Sequence, residues 1–262
     1  MRLPAFLFAA ALAFSGNAAL AQAPTGKITV VAAQNFYGDI ARQIADAQIV
    51  IANGAHYDEW VDKLLKTAPR PGRTVISAAR LVKARHGDNP HLWYNPATMP
   101  AVAKAIAAAL SKADSDHAAA YSERLAKTLT NLDRVAQRVA EMRARHAGKP
   151  VAATEPVFGL MADALGLTMR NQKFQRALMN ETEPSARDIA AFESDLKNQK
   201  VAVLIYNKQV SEKLAERLLT IARTAKVPVV PVTETQPADV SFEDWMLGQL
   251  DALDKALTGA KT

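Results

Sequence analysis

The sequence predicts an α/β protein of two lobes, each a parallel sheet flanked by helices, joined by one long rigid helix. Three observations lead there. Short apolar runs alternate with segments of helical period, the pattern of parallel strands covered by helices. One amphipathic stretch runs from Asp116 to His146 with no Pro or Gly to interrupt it. The strand–helix alternation then restarts.

The first lobe opens at residues 27–33, a continuous apolar run as expected of a buried parallel strand. Residues 36–45 read as a helix, with Phe36, Ile40 and Ile44 on one face. A short strand at 48–52 ends at the turn signal Asn53-Gly54. A helix at 60–65 and a strand at 74–77 complete the β-α-β-α-β pattern. Residues 97–112 form a helix with Met99, Val102, Ile106 and Leu110 in one stripe. Asp116 is a candidate cap for the long helix, whose stripe is Tyr121, Leu125, Leu129 (or Thr128), Leu132, Val135, Val139 and Met142. A helix of ~30 residues spans ~45 Å, more than one small lobe needs.

In the second half, strands are expected at 151–154, 167–170, 201–206 and 227–232. Helices are expected at 157–165, after the Ser185/Asp188 capping box through 196, from a Ser211 cap over 212–225, and after the Ser241/Asp244 box. The expected organisation is a signal peptide at 1–21, a first lobe at 22–112, a linking helix at 113–148 and a second lobe at 149–262. The signal reading rests on Arg2, the apolar run 3–14 and the small-x-small site Ala19-Leu20-Ala21. That run is too short to span a membrane, which takes ~20 apolar residues. The mature protein is expected to be exported.

Composition excludes several chemistries. There is no Cys, so disulfides, a thiolate zinc site, a cysteine nucleophile and a Cys-linked lipid anchor are all excluded. A metal site must draw on His, Asp, Glu or water. The net charge is +6, but the basic residues are scattered among acids with no aromatic interleaving, so no nucleic-acid partner is expected.

Ligands of open α/β sheets bind beyond the carboxyl ends of the strands. Glu155 follows Val151-Ala152-Ala153-Thr154, Asn207 follows Val203-Leu204-Ile205-Tyr206, and Glu234 follows Val229-Val230-Pro231-Val232-Thr233. In the first lobe His91 lies in Asn89-Pro90-His91-Leu92-Trp93-Tyr94-Asn95-Pro96. The prolines stiffen this backbone, and a His with little rotamer freedom left to lose suits a metal ligand. Singly, each Glu also fits a helix N-terminal charge, and His91 also fits a loop His packed on Trp93. A cleft between lobes would bring one His and two carboxylates together.

These blocks resemble, in order and spacing, the zinc/manganese-type solute-binding proteins of bacterial ABC importers, the TroA-like periplasmic binding fold. Val30-Val31-Ala32 with Phe36-Tyr37, Val50-Ile51-Ala52-Asn53-Gly54-Ala55 with Trp60, the Asn89 to Pro96 block, Thr154-Glu155-Pro156-Val157-Phe158-Gly159 and Pro184-Ser185 carry the likeness. It runs from about residue 27 to the C-terminus. The resemblance implies that His91 is the second metal ligand, Glu155 the third and Glu234 the late acidic one. The family's first ligand is a His in an Asp-Pro-His loop. Here Ile40 to Gln48 runs straight from helix to strand, and that block is lacking. His56 is the nearest spare imidazole; His86, His117 and His146 read as solvent-facing.

The resemblance implies a periplasmic, monomeric, non-enzymatic protein that captures a divalent cation and delivers it to the membrane permease of an ABC importer. One His with two carboxylates leans toward Mn²⁺ or Fe²⁺ and stays compatible with Zn²⁺. Two other readings stand beside it. A secreted zinc hydrolase could use one His and two Glu with an open position, although there is no His-Glu-x-x-His helix. A member with a degenerate metal site would bind without transporting.

Overall fold

The computed structural model describes residues 30–32, 48–67, 71–85, 87–210 and 212–259. The signal segment, the helix at 36–45, the junction leading into Gln48, His86 and the Ser211 cap lie outside the described residues.

Strands β1 (Val30–Ala32), β2 (Ile49–Ala52) and β3 (Thr74–Ser77) form a parallel sheet in that order. In register, Ile51 faces Ile76 and Ala52 faces Ser77. Helix α1 (Glu59–Thr67) follows β2, and α2 (Ala78–Leu81) leaves β3 directly, with the Ser77 hydroxyl accepting from Arg80 N. A 3₁₀ turn, Leu92–Tyr94, then leads into α3 (Thr98–Ala113).

The long helix α4 (Ala118–His146) packs between α3 and the C-terminal helix α9 (Phe242–Gly259). Its buried face is Tyr121, Thr128, Leu132, Val135, Val139, Met142 and His146. Two expectations are corrected here. Asp116 does not cap α4; the 3₁₀ turn Ser115–His117 precedes it, and Asp114 instead accepts from Tyr121 Oη at 2.6 Å. His146 is buried rather than solvent-facing, because Asp254 on α9 holds its Nε2 at 2.6 Å. His117 is exposed, beside Asp114.

The second sheet has the order β5-β4-β6-β7, all parallel, from β4 (Pro150–Ala153), β5 (Thr168–Met169), β6 (Val203–Asn207) and β7 (Val229–Val232). A 3₁₀ turn (Pro156–Phe158), α5 (Gly159–Ala164), α6 (Gln172–Met179), α7 (Ala186–Lys197) and α8 (Lys213–Thr224) connect these strands. Ser185 and Ser241 both cap as expected, each accepting from the backbone N three residues on at 3.1 Å. Helix α6 has no such signal. Asn171 precedes it but spends its amide on both backbone groups of Ala153.

One buried apolar cluster runs from Ile51 and Ile76 through Trp93, α3 and α4 to Val203, Ile205 and Leu250. A second lies behind the β5-β4-β6-β7 sheet around Phe174, Phe192, Leu196 and Leu218. The two sheets therefore share a core, which resists large relative movement. No described helix is long and apolar enough to cross a membrane.

Candidate metal centre

Both sheets present their carboxyl ends to one place. From the second, Glu155 lies two residues past β4, Asn207 ends β6 and Glu234 lies two residues past β7. Asn207 Nδ2 donates to Glu155 Oε2 at 2.9 Å and reaches Glu234 Oε2 at 3.4 Å, so one amide ties both carboxylates. From the first, His91 Nε2 approaches Glu234 Oε1 at 3.6 Å, and the His91 side chain is nearly buried.

The His91 ring is oriented by Asn89. Asn89 Oδ1 accepts from the His91 backbone N at 3.0 Å and sits 2.7 Å from His91 Nδ1, while its Nδ2 donates to Pro156 O at 2.7 Å. The carbonyl of Pro156 can only accept and the backbone N of His91 can only donate, which fixes the amide's orientation. Asn89 Oδ1 then accepts from Nδ1–H, which leaves Nε2 pointing at Glu234. A positive charge between Nε2 and the carboxylate, a proton or a cation, stabilises the pair. Gly159 makes room for this arrangement, since a Cβ there would lie 2.8 Å from Asn89 Nδ2.

The spacing between the halves is set nearby. Tyr94, fully buried three residues after His91, donates from its hydroxyl to Thr233 O at 2.6 Å, next to Glu234. Tyr57 comes from the turn after β2 and donates to Glu234 Oε1 at 2.6 Å. That turn holds three consecutive left-handed residues, Gly54 (φ 73), Ala55 (φ 51) and His56 (φ 64). For the two that carry a Cβ this costs ~1 kcal/mol or more each. The buried Asp58 carboxylate stabilises the turn by accepting from Asn53 N at 2.6 Å and Gly54 N at 2.7 Å. Asn53 Nδ2 ties it to Pro90 O at 2.9 Å.

The two carboxylates titrate in opposite directions. Glu234 is held below the usual carboxylate range, first by His91 and then, against burial, by Tyr57 and Asn207. Glu155 is pushed up, chiefly by burial and further by the charge of Glu234, with the Asn207 bond opposing.

Of the residues singled out by sequence, His91 and Glu234 stand side by side, and Glu155 joins them through Asn207. Among the described residues no three His, Cys, Asp or Glu side chains converge at metal-holding distance. His56 is half-exposed and pairs with Glu59. Sequence reasoning passed over Tyr57 and Asn89. The signal for Tyr57 was its place just beyond the Asn-Gly turn at a strand's carboxyl end; the signal for Asn89 was its place two residues before the His.

The model of the family zinc-uptake complex component A, periplasmic (ZnuA), matches residues 37–256. The high-affinity zinc uptake system protein ZnuA of Bacillus subtilis is 25% identical over 246 residues, which are 84% of this chain and 74% of that protein. The periplasmic zinc-binding protein TroA of Treponema pallidum superposes with a TM-score of 0.72 at 16% identity, over 88% of this chain and 99% of that one. A mutant, Mn-bound periplasmic metal-binding protein of Candidatus Liberibacter asiaticus gives 0.67 at 14% identity, over 88% of this chain and 100% of that one.

Proposed function

We propose, for a chain that belongs to the ZnuA family of periplasmic zinc-uptake components, that it captures a divalent transition-metal cation between its two lobes and delivers it to the permease of an ABC importer. The family is one of substrate-binding proteins rather than enzymes, and its zinc-uptake members act outside the cytoplasm. A cleaved leader at 1–21, Zn²⁺ or Mn²⁺ as the cargo, and His91, Glu155 and Glu234 as its ligands belong to this proposal. The division into a first lobe, a linking helix and a second lobe belongs to it as well.

The observation that carries the reading is the imidazole–carboxylate pair. The Asn89 bond turns Nε2 of His91 toward Glu234, 3.6 Å away, with Glu155 tethered alongside by Asn207. That arrangement gathers one nitrogen and carboxylate oxygens at the carboxyl ends of two parallel sheets. It suits Mn²⁺ and Zn²⁺ alike. With three protein ligands, water completes the shell.

Calorimetric titration of the purified protein with Zn²⁺ and Mn²⁺, with elemental analysis of the loaded form, tests the reading. One equivalent of tightly bound cation is expected. Heats no larger than dilution for both metals would refute it.

A further inference from the structure

Tyr57 carries more of the geometry than a packing residue needs. Its ring stands edge-on to Trp93, with centroids 4.9 Å apart, and to His91 at 5.9 Å. Its hydroxyl reaches across from the first lobe to Glu234 Oε1 at 2.6 Å. The chain adopts left-handed backbone at Ala55 and His56, where L residues are disfavoured, immediately before Tyr57. The turn is then fastened from behind by Asp58 and Asn53. Strain held in place by such a scaffold marks a constrained position.

What the strain holds in place is the rotation of Glu234. Among the described residues its Oε2 has the long 3.4 Å approach of Asn207, whose amide is shared with Glu155. The bond from Tyr57 is the short one, and it lands on the oxygen that faces His91 Nε2. Hydrogen bonds to a ligating carboxylate orient it and set its affinity for the metal. We propose that Tyr57 is the positioning residue of the cation site, fixing across the lobe boundary the angle at which Glu234 meets the cation. This rests on the reading of His91, Glu155 and Glu234 as the ligands.

The test is Tyr57→Phe, which keeps the ring on His91 and Trp93 and removes only the hydroxyl. The unmodified protein and the variant are titrated side by side with Mn²⁺ and Zn²⁺, and the electron paramagnetic resonance spectrum of each Mn²⁺-loaded form is recorded. The expected result is a Kd raised about 10- to 100-fold, an unchanged circular dichroism spectrum and an altered zero-field splitting of the bound Mn²⁺. Equal affinities and superimposable spectra would reduce Tyr57 to a packing ring and overturn the proposal, while leaving the metal-binding function standing. Weaker binding with an unaltered Mn²⁺ spectrum would also overturn it, since the loss would then come from a loosened fold. If the unmodified protein binds neither metal, the functional reading itself falls and this inference falls with it.

Discussion

The two halves of the site are built on opposite principles. In the second lobe Glu155, Asn207 and Glu234 stand at or just past the ends of adjacent parallel strands β4, β6 and β7, so sheet register, with the Asn207 amide, sets their spacing. In the first lobe His91 and Tyr57 sit on loops. Their positions depend on prolines, a left-handed turn, and a chain of bonds through Asp58, Asn53 and Asn89. A strand-built half keeps its shape when one side chain changes. A loop-built half is only as fixed as its individual hydrogen bonds. Polar deletions around His91 should therefore disturb the site more than equal deletions on the sheet side.

The largest effect is expected from His91→Ala, which removes the one imidazole beside Glu234. Cation affinity should fall by more than about a hundredfold, beyond the loss typical of an outer-shell partner; a titration giving the parental Kd would remove His91 from the ligand set. The combined Glu155→Gln and Glu234→Gln change breaks the other half. Strand register should hold the fold, so circular dichroism stays the same while the melting shift given by saturating Mn²⁺ or Zn²⁺ collapses. A full-sized shift in the double variant would show that the cation binds elsewhere.

Next comes the scaffold of the loop half. Asp58→Ala leaves two backbone N–H groups of the Asn53-Gly54 turn without their acceptor. A loss of about 2–3 kcal/mol in urea unfolding is expected, together with weaker metal binding. A change below about 0.5 kcal/mol would mean that the turn holds itself.

Gly159→Ala sharpens the contrast. Its backbone is helical (φ −56), but it is the first residue of α5, so the propensity gain from alanine stays below the ~1 kcal/mol of a helix interior. The new Cβ would nevertheless displace the Asn89 amide that orients His91. Displacing that amide also costs its bonds to Pro156 O and His91 N, so the expected outcome is a melting temperature that does not rise and a several-fold weaker Kd. A raised melting temperature with the parental Kd would contradict the role given to Asn89.

The smallest effect lies away from the site and concerns acid stability. Asp254 joins the end of α4 to α9. Burial raises its carboxyl, but bonds from His146, Arg145 and Arg138 outweigh burial and hold it below the usual range. A lowered folded pKa means that its contribution is fully present above the ordinary carboxylate value and is lost as pH falls through the lowered one. Asp254→Asn should therefore flatten the acid end of the stability–pH curve below about pH 4. An unchanged curve would show that the cluster contributes nothing to acid stability.

The sheet-built half was legible in the sequence because period and position suffice there. β-Branched runs ending in Glu155, Asn207 and Glu234 declare both the strands and their carboxyl ends. The long helix showed itself through its uninterrupted stripe from Tyr121 to Met142. What escaped depends on contacts distant in the chain. His146 ends the α4 stripe and is buried only because Asp254, on α9, meets it. Helix α6 went unread because Asn171 bonds to β4 instead of capping. Tyr57 meets Glu234 across 177 positions of sequence, and no local pattern announces that pairing. His91 could be singled out by its prolines, but the Asn89 bond that orients its ring appears only in three dimensions.

The most direct test of the whole arrangement is X-ray absorption at the zinc edge of the Zn²⁺-loaded protein. One imidazole nitrogen is expected in the first shell, with every remaining ligand an oxygen at about 2.0–2.2 Å, and the imidazole signal should vanish in His91→Ala. A shell with two or more imidazoles, or one that survives the loss of His91, would contradict a centre built from His91, Glu155 and Glu234.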